Sequence, residues 1–536
     1  MTGSGKTEIY IRLAEETLKQ GRNVLYLVPE ILMGNQLAHR LKQVFGEQLL
    51  SFNSSQTTAE RYRIAEKILS LRQNADRPEN GSGKGYLLMG TRSAIFLPHQ
   101  NLGLIIVDEE HDTSYKQQDS NPRYNGRDVA VVMAQIFHSQ ILLGSATPSL
   151  ESLYNCEKGR YEEVYLAEKY YEADSADVQI IDTIAERRKR GMRGLFSLKL
   201  IEEINRTLEA GEQVIILRSR RAYSPVVQCD QCGNIPHCPH CNVTLSYHKS
   251  TGRLVCHHCG YSEAYDGVCP SCKGHLEPMG SGTQKVEEEA KALFPNAVIA
   301  RLDSDTITSR SYLTQTTEAF YQGKINVLIG TQIVAKGLDF PNLSLVVMLQ
   351  ADAMLGIEDF RADERALQLL EQFRGRCARR SQKGRFIIQT SQPEHPIYRQ
   401  IQGQNDQSQN LISTFLEERR LFNYPPYARA ISIILRDNNE TRLQQMADEL
   451  YTYICRAFGM APEFGLAGAQ NESVQVIPPF SPVIDKISNE FIRHIRLSLH
   501  RDGALARNKA LLHRTLSRFE MEKKYPGHIT TDVDPI

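Results

Sequence analysis

The sequence predicts an α/β protein whose sheets are parallel and covered by helices on both faces. Apolar runs of strand length alternate with stretches of helical periodicity, and the runs NVLYLVP, LGLIIVD and QILLGSAT show almost no polar alternation. Strands of this kind are buried on both faces, which requires a helical layer on each side of the sheet. Because such sheets bind ligands at the carboxyl ends of their strands, we expect the functional residues to follow these runs directly.

The bulk composition sets the scale and leaves the partner open. With 536 residues, the chain is long enough for roughly three or four domains. Its formal net charge is +0, so a surface for a polyanion must come from local clusters such as ERRKRGMR (186–193) and FRGRCARR (373–380), each of which is otherwise a solvated face. No apolar run approaches the ~20 residues of a membrane-spanning helix, and no secretory signal opens the chain. We expect no membrane partner.

The chain opens with MTGSGKTEIY, which contains the second half of a phosphate-binding loop. A stretch with Ile9, Leu13 and Leu18 on one helix face follows at once, as such a loop requires. Lys6 would reach the β- and γ-phosphates of a nucleotide, and the Thr7 hydroxyl would ligate Mg²⁺. The residues expected to contact the nucleotide are Gly3, Ser4, Gly5, Lys6, Thr7 and Glu8.

An acidic motif, DEEH (108–111), ends the apolar run LGLIIV. A carboxylate at the end of a strand can hold Mg²⁺, and a neighbouring carboxylate can orient or deprotonate the attacking water. We assign Asp108 to the metal and Glu109 to the water. If the motif stood alone, an acidic surface loop would be the simpler interpretation.

Basic residues near position 375 suit a second lobe that closes over the nucleotide. QFRGRCAR presents Gln372, and it places Arg376 and Arg379 three apart on one helix face. An arginine supplied in this way stabilises charge on the transferred phosphate and is worth about 10³–10⁵ in rate. A solvated basic helix face is the alternative. The order of the motifs argues against chance, because each follows a predicted element: GKT, GTRSA, DEEH, SAT, GTQ…KGLDF and Q-x-x-G-R-x-x-R.

Eight of the eleven cysteines fall within one window of 44 residues and form four C-x-x-C pairs. Each pair can give two thiolates to a tetrahedral Zn²⁺, so the eight fit two closed sites better than a redox role. Fourteen residues separate the inner pairs, enough for a hairpin, whereas side-by-side pairing would leave a tight connection of five residues. This favours a nested arrangement with Cys229, Cys232, Cys269 and Cys272 at one site and Cys238, Cys241, Cys256 and Cys259 at the other.

The motif series resembles the motor core of superfamily 2 helicases, in which two RecA-like lobes close over ATP. The cysteine-rich insertion narrows the resemblance to the PriA (primosomal protein N′) family of replication-restart helicases. Other stretches are similar to that family, among them LVPEI, GTRSAIFLP, DEEHDTSYKQ, GSATPSLES, CHHCG, YPPYAR and DVDP. The resemblance spans nearly the whole chain and thins to scattered matches in its last hundred residues.

The resemblance implies an ATP-dependent 3′-to-5′ DNA helicase or translocase of the primosome that acts in the restart of stalled forks. Its cofactors would be ATP, Mg²⁺ and two Zn²⁺, and its catalytic residues Lys6, Asp108, Glu109, Gln372, Arg376 and Arg379. Its partners would be forked or single-stranded DNA, primosome proteins and single-stranded-DNA-binding protein, in the bacterial cytoplasm near the nucleoid.

The same resemblance implies which residues contact DNA. Two tyrosines in the loop after DEEH would stack on bases, although a purely structural role is the alternative. Arg92, Thr331 and Lys336 would face the DNA strand or the cleft between the lobes. The residues expected at the DNA are Arg92, Tyr115, Lys116, Arg123, Tyr124, Thr331 and Lys336.

The sequence departs from the family in two places. QFRGRCAR carries Arg374, Cys377 and Ala378 where the family has small residues or glycine. Arg376 and Arg379 are retained, so we expect their role at the phosphate to persist while the packing around them differs. The family's N-terminal DNA-binding region and first lobe strand do not precede GSGKT, and the first glycine of the loop pattern would fall one place before Met1. We therefore expect impaired nucleotide binding and turnover. A non-catalytic remnant that binds DNA or primosome partners is the competing hypothesis.

The expected fold is two RecA-like parallel-sheet lobes, with a double zinc ribbon inserted in the second and a mixed α+β domain after it. Residues 174–193 are polar and charged, and we interpret them as a linker or surface excursion. The expected domains are lobe 1, without its first strand (1–172), the linker and start of lobe 2 (173–226), the zinc insertion (227–279), the remainder of lobe 2 (280–400) and the C-terminal domain (401–536).

Overall fold

A computed structural model gives the chain as two compact units. The first consists of Met1–Ser219 and Glu287–Ser408, and the second of Arg220–Val286 and Gln409–Ile536. The described residues are 5–29, 34–53, 56–75, 85–118, 120–166, 176–218, 226–229, 231–232, 234–241, 243–248, 252–256, 259–279, 282–303, 306, 310–331, 340–355, 359–377, 384–403, 411–461 and 473–535. None of the described helices combines the length and apolar character that crossing a bilayer needs.

The first sheet lies in the first unit and is parallel throughout. Its strands are β1 (Asn23–Leu27), β2 (Leu49–Phe52), β3 (Leu87–Gly90), β4 (Leu102–Asp108) and β5 (Gln140–Gly144), in the spatial order β2-β3-β1-β4-β5. Its helices are α1 (Lys6–Lys19), α2 (Gly34–Phe45), α3 (Thr58–Ala75), α4 (Gly126–Phe137) and α5 (Leu150–Glu157), with 3₁₀ turns at Gly46–Gln48, Arg92–Phe96 and Thr113–Tyr115.

Alternate residues of β4 face two different helical layers. Ile106 packs in the cluster that contains Tyr10 of α1, whereas Ile105 packs in the cluster that contains Ala130 of α4. Every residue of the strand is buried, which is why its sequence shows no polar alternation. The predicted parallel sheet with helices on both faces is confirmed.

The remaining elements follow in chain order. The strands are β6 (Asp177–Asp182), β7 (Met192–Arg193), β8 (Phe196–Ser197), β9 (Gln213–Arg218), β10 (Val226–Cys229), β11 (Ser246–His248), β12 (Arg253–Val255), β13 (Ser262–Ala264), β14 (Leu276–Met279), β15 (Ile299–Leu302), β16 (Val327–Gly330), β17 (Leu343–Leu349), β18 (Arg385–Thr390), β19 (Ala428–Asp437), β20 (Val474–Phe480), β21 (Lys486–Ile487), β22 (Glu490–His500) and β23 (His528–Val533). The helices are α6 (Thr183–Arg188), α7 (Leu198–Glu209), α8 (Thr283–Leu293), α9 (Arg310–Tyr321), α10 (Ala362–Cys377), α11 (Pro396–Gln402), α12 (Leu411–Leu421), α13 (Glu440–Ala457) and α14 (Leu505–Lys523), with a 3₁₀ turn at Ala351–Met354.

The second sheet of the first unit is also parallel, in the order β15-β16-β9-β17-β18-β6. Its edge strand β6 corrects the interpretation of residues 174–193 as a linker or surface excursion, because Asp177–Asp182 belong to the sheet. Asp177 and Gln179 of this strand are exposed, while Ile181 is buried. Because an edge strand is only half covered, its polar alternation resembles that of a surface connection, and sequence reasoning missed it.

The second unit contains the cysteine-rich module and the C-terminal domain. In the module β10 pairs with β14, and β11, β12 and β13 form an antiparallel sheet. The C-terminal sheet is antiparallel in the order β20-β22-β19-β23, with β21 paired to β22. Leu450 of α13 and Phe519 of α14 pack with Ile433 and Leu497 of this sheet. The mixed α+β architecture expected for the C-terminal region is confirmed.

Gly90, at the end of β3, lies where a side chain has no room. A Cβ there would be 2.9 Å from the Phe52 carbonyl oxygen and would overlap the Cβ of Ala94. We expect Gly90→Ala to lower the free energy of unfolding by about 1–3 kcal/mol, because overpacking displaces the buried backbone. Urea unfolding followed by circular dichroism measures this. Gly503→Ala is the control, because no described atom lies within 4 Å of its Cβ position, and equal midpoints for the two variants would contradict the expectation.

Candidate functional site

The start of α1 and the carboxyl end of β4 bring Lys6 and Glu109 together. The Lys6 ammonium nitrogen lies 3.3 Å from Glu109 Oε1, and the two side chains keep 17% and 20% of their surface exposed. Glu109 has a φ of 47°, a left-handed conformation whose strain of about 1–3 kcal/mol is typical of active sites. The structure thus joins the predicted phosphate-binding lysine to the predicted water-activating carboxylate.

Asp108 and Glu109 are adjacent in sequence but differ in their affinity for a proton. Burial raises the pKa of Asp108, and the charge of Glu109 adds to this effect, so that the pKa reaches about 7. Burial also pushes the pKa of Glu109 upward, but nearby positive charge, that of Lys6 first, together with the hydrogen bond from Lys6, outweighs it and holds that pKa below its ordinary value. Two neighbouring carboxyl groups with separated pKa values can take different roles in one reaction.

Gly5 precedes α1 with a φ of 81°, and none of the described atoms lies within 4 Å of the position that its Cβ would take. A helix start of this kind, with Lys6 and Thr7 in its first turn, fits the phosphates of a nucleotide. Glu8, also predicted to contact the nucleotide, forms an ion pair with Arg40. Gly3 and Ser4 lie outside the described residues.

His111, the last residue of DEEH, joins three motifs. Its Nδ1 lies 2.7 Å from the Ser145 hydroxyl of the SAT motif, and its Nε2 lies 2.6 Å from the Gln372 amide nitrogen. Because an amide nitrogen only donates, Nε2 accepts this hydrogen bond, and the ring proton is left on Nδ1 to donate to Ser145. Gln372 belongs to α10, so this imidazole connects the first sheet's acidic motif to a helix that follows β17. Sequence analysis placed no role on His111.

Glu110 makes a second connection that sequence analysis missed. Its buried carboxylate accepts hydrogen bonds from the Ser149 N–H at 2.7 Å and hydroxyl at 3.0 Å, and Arg127 lies 3.0 Å from it. The next residue, Leu150, donates its N–H to Glu364 of α10 at 3.0 Å. The N-terminus of α5 is therefore held by one carboxylate from DEEH and by another from the helix that carries Gln372.

The predicted basic residues of α10 are partly accounted for. Arg376 lies near enough to Glu109 to contribute to lowering its pKa, whereas Arg379 lies outside the described residues. Lys336, predicted to contact DNA, also lies outside them. Thr331, at the end of β16, is described and only 5% exposed.

The loop after DEEH does not expose the tyrosine that we expected to stack on bases. Tyr115 is 1% exposed, and its hydroxyl donates to the Asp108 carbonyl at 2.7 Å. Lys116 is 4% exposed, and its ammonium group donates to the Arg123 carbonyl at 3.0 Å. In this structure both side chains are core residues that brace the loop, because the backbone around them offers carbonyl partners away from water. The expectation of a stacking surface at Tyr115 is corrected accordingly.

An aromatic pair, with one ring exposed and the other half-buried, lies beside this loop. The rings of Tyr124 and Phe96 meet edge to face with centroids 4.8 Å apart, and Phe96 is 60% exposed. Arg92 donates to the carbonyls of Ser114 and Lys116 at 2.9 and 2.6 Å, which fixes the base of the loop. Sequence analysis named Tyr124 and Arg92 but not Phe96, because no pattern indicates which apolar residue of a 3₁₀ turn faces solvent.

The eight cysteines of the window form two groups of four. The Sγ atoms lie within 4.8 Å of one another in the group Cys229, Cys232, Cys269 and Cys272 and in the group Cys238, Cys241, Cys256 and Cys259. A tetrahedral zinc with Zn–S bonds of about 2.3 Å spaces its sulfurs by roughly 3.8 Å. Cross-pair distances of 3.4, 3.6 and 3.5 Å fit that spacing. The nested pairing is confirmed, and each group suits a structural Zn²⁺.

Family models match three parts of the chain. Residues 1–150 match "Type III restriction enzyme, res subunit", residues 238–263 match "PriA DNA helicase Cys-rich region (CRR) domain", and residues 280–381 match "Helicase conserved C-terminal domain". These segments cover the first sheet, the inner cysteine pairs and much of the second sheet.

Relatives of known family extend the match over the whole chain. Replication restart protein PriA of Rickettsia conorii is 35% identical over 539 residues, which cover 100% of this chain and 77% of that protein. This chain belongs to the PriA family. The PriA of Haemophilus influenzae is 35% identical over 100% of this chain and 69% of its own length. The PriA of Bacillus subtilis is 40% identical over 80% of this chain, and the match spans 51% of that protein.

Solved helicase structures are similar to this PriA-family chain at low identity. RecG bound to a three-way DNA junction gives a TM-score of 0.41 at 14% identity, covering 78% of this chain and 42% of that one. MrfA bound to DNA gives a TM-score of 0.42 at 13% identity, and the match covers 79% of this chain and 46% of that one. The assignment to the PriA family rests on the sequence relatives and not on these values.

Metal analysis of this protein should find about two Zn per chain, one for each group of four thiolates. Cys272→Ser removes one ligand of the outer group, and we expect it to lower the content to about one because the inner group keeps its full set. Cys156→Ser is the control, since Cys156 lies outside both groups, and it should retain both ions. A content of one or none in the unaltered protein would refute the two-site assignment.

Proposed function

We propose that this chain is an ATP-dependent DNA helicase or translocase that moves 3′ to 5′ and serves the primosome when stalled replication forks are restarted. The observation that carries the proposal is the chain of contacts Lys6–Glu109, His111–Ser145 and His111–Gln372. These contacts connect the start of α1, where phosphates would bind, to the acidic residues at the end of β4. From there they continue to α10, the helix that follows β17. Membership of the PriA family supports the choice of DNA and of fork restart.

The residues at the carboxyl end of β4 would hold a nucleotide in a defined way. Phosphates would lie at the N–H groups of Gly5, Lys6 and Thr7, and Asp108 with the Thr7 hydroxyl would hold Mg²⁺. Bound ATP supplies a phosphoanhydride bond whose hydrolysis releases free energy. Glu109 is ionised at neutral pH because its pKa is lowered, so its carboxylate can accept a proton from water. Arg376 would balance negative charge beside it.

Two sets of hydrogen bonds link the acidic motif to α10. The first runs through the imidazole of His111 to Gln372, and the second runs from Glu110 through Ser149 and Leu150 to Glu364. Hydrogen bonds to charged groups contribute about 1.5–3 kcal/mol each when their partners are well placed. Breaking these hydrogen bonds when α10 moves away would cost free energy. They therefore favour the arrangement in which α10 contacts the acidic motif. We propose that turnover acts on this bias.

The DNA strand would contact the aromatic pair of Phe96 and Tyr124. Both rings lie next to the loop that Arg92 fixes, and that loop begins directly after DEEH. Bases stack on exposed aromatic rings regardless of sequence, and nearby cations bind phosphates. Arg123 remains a predicted DNA contact, whereas the buried Thr331 side chain offers DNA little surface. Primosome proteins and single-stranded-DNA-binding protein are the further partners that we propose from the family.

Removing the proposed proton acceptor tests the enzyme directly. Glu109→Gln preserves the shape of the side chain but not its charge, and we expect ATP hydrolysis stimulated by single-stranded DNA to fall by about 10²–10⁴-fold. Phosphate release gives the rate, and displacement of a strand from a duplex with a 3′ single-stranded tail reports movement.

The matched control is Glu520→Gln on the exposed face of α14, which should keep both activities. If Glu109→Gln hydrolyses ATP at the rate of the unaltered protein, Glu109 is not the proton acceptor. Displacement that requires a 5′ tail would overturn the proposed direction. DNA binding without any hydrolysis in the unaltered protein would favour the non-catalytic hypothesis.

The aromatic pair is tested by binding alone. Phe96→Ala removes one exposed ring, and we expect it to weaken binding to a labelled single-stranded oligonucleotide by about 1–3 kcal/mol, the value of one stacked base. Fluorescence anisotropy at one fixed salt concentration measures the affinity. Tyr62→Ala removes another exposed ring, 65% accessible on α3, and should leave the affinity unchanged. Equal loss in the two variants would show that Phe96 has no special place.

A further inference from the structure

The two-residue turn between β21 and β22 has a backbone conformation that is uncommon for the residues that form it. Ile487 pairs with Glu490, so the turn consists of Ser488 and Asn489 alone, and their φ angles are 51° and 66°. A hairpin turn with two positive φ values ordinarily contains glycine, because the left-handed region costs other residues roughly 1–2 kcal/mol each. Asparagine tolerates it best, but serine does not favour it. Contacts made by the turn must offset this cost.

Those contacts lie on the inner cysteine group, which belongs to the same compact unit. The Ser488 N–H donates to the Sγ of Cys241 at 3.2 Å. The Asn489 N–H donates to the His240 carbonyl at 2.8 Å, and the Asn489 amide group lies 3.2 Å from His240 Nδ1. Ile487 packs against the hydrophobic core of the cysteine-rich module. The turn therefore contacts the Cys238–Cys241 knuckle through backbone, polar side chain and apolar side chain.

The two cysteine groups differ in where their sulfur hydrogen bonds originate. In the outer group, the Gly274 N–H donates to Cys272 at 3.4 Å, and the Asn234 amide donates to Cys269 at 3.8 Å, both from within the module. In the inner group, the His240 N–H donates to Cys238 at 3.4 Å from within the module, but Cys241 receives an N–H from a residue 247 positions later in the chain. Groups that hydrogen-bond to metal ligands orient them and tune metal affinity, and losing them typically costs about 10–100-fold.

We propose that the Ser488–Asn489 turn is an outer partner of the inner zinc site, so that zinc retention there and the position of the C-terminal sheet depend on each other. The zinc-bound thiolate of Cys241 carries negative charge that the Ser488 N–H stabilises, and the Asn489–His240 contacts hold that N–H in place. Loss of zinc would release the turn, and distortion of the turn would loosen the zinc. This inference concerns the C-terminal domain and does not depend on helicase activity.

Zinc release tests one direction of this coupling. Asn489→Ala removes the side-chain contact with His240 and makes the left-handed turn less favourable, so a colour-forming chelator should extract one zinc per chain about 10–100-fold faster than from the unaltered protein. The second zinc should leave at the original rate. Cysteine alkylation followed by mass spectrometry should locate the early loss at Cys238, Cys241, Cys256 and Cys259.

Ser488→Gly is the matched control, because it keeps the N–H donor and relieves the backbone strain. We expect its zinc to leave no faster than that of the unaltered protein. Equal acceleration at both cysteine groups in Asn489→Ala would indicate general destabilisation and would overturn the proposal. Unchanged release in that variant would overturn it as well.

Hydrogen exchange on the unaltered protein tests the other direction and remains decisive if Asn489→Ala does not fold. With zinc bound, the Ser488 amide should be protected, and chelation should speed its exchange by an order of magnitude or more. Amides of β22 that pair with β19, such as those near Ile495 and Leu497, should stay protected. If chelation leaves the exchange of Ser488 unchanged, the turn is not coupled to the metal.

Discussion

The imidazole of His111 occupies the point at which three separate motifs of the first unit meet. Its Nδ1 faces Ser145, its Nε2 accepts from Gln372, and Glu109 lies 3.7 Å away. A neutral ring satisfies its donor and acceptor neighbours at the same time, whereas a doubly protonated ring would have no acceptor for the Gln372 amide. The acidic motif and helix α10 are thus held together by a ring whose proton is on one particular nitrogen.

The acidic motif itself separates two carboxyl groups that start with nearly equal pKa values. Asp108 is buried beside another negative charge, so its pKa rises to about 7, while Glu109 is held ionised by the cations that surround it. One group is therefore ready to bind a cation once it loses its proton, and the other is ready to accept a proton. Burial of Asp108 and the closeness of Lys6 to Glu109 create this difference, which neither carboxyl group would have in water.

The cysteine-rich module follows a different physical logic. Its described strands are three or four residues long. Of the nine described buried residues in its hydrophobic cluster, five are cysteines and four are aliphatic. So small a core contributes little stability, and metal bonds take over that role. A contact with one zinc ligand therefore affects the stability of the whole module. For this reason a two-residue turn of the C-terminal sheet can influence that stability.

The sequence by itself determined the parallel α/β class, the position of the motifs at strand ends, and the nested cysteine pairing. These features follow from periodicity and from spacing along the chain, which are local properties. Only the tertiary structure decided that Tyr115 is buried, that β6 is an edge strand, that Leu150 meets Glu364, and that Ser488 reaches Cys241. The last two contacts join residues 214 and 247 positions apart. Such contacts arise only when distant elements pack together, and no local pattern records them.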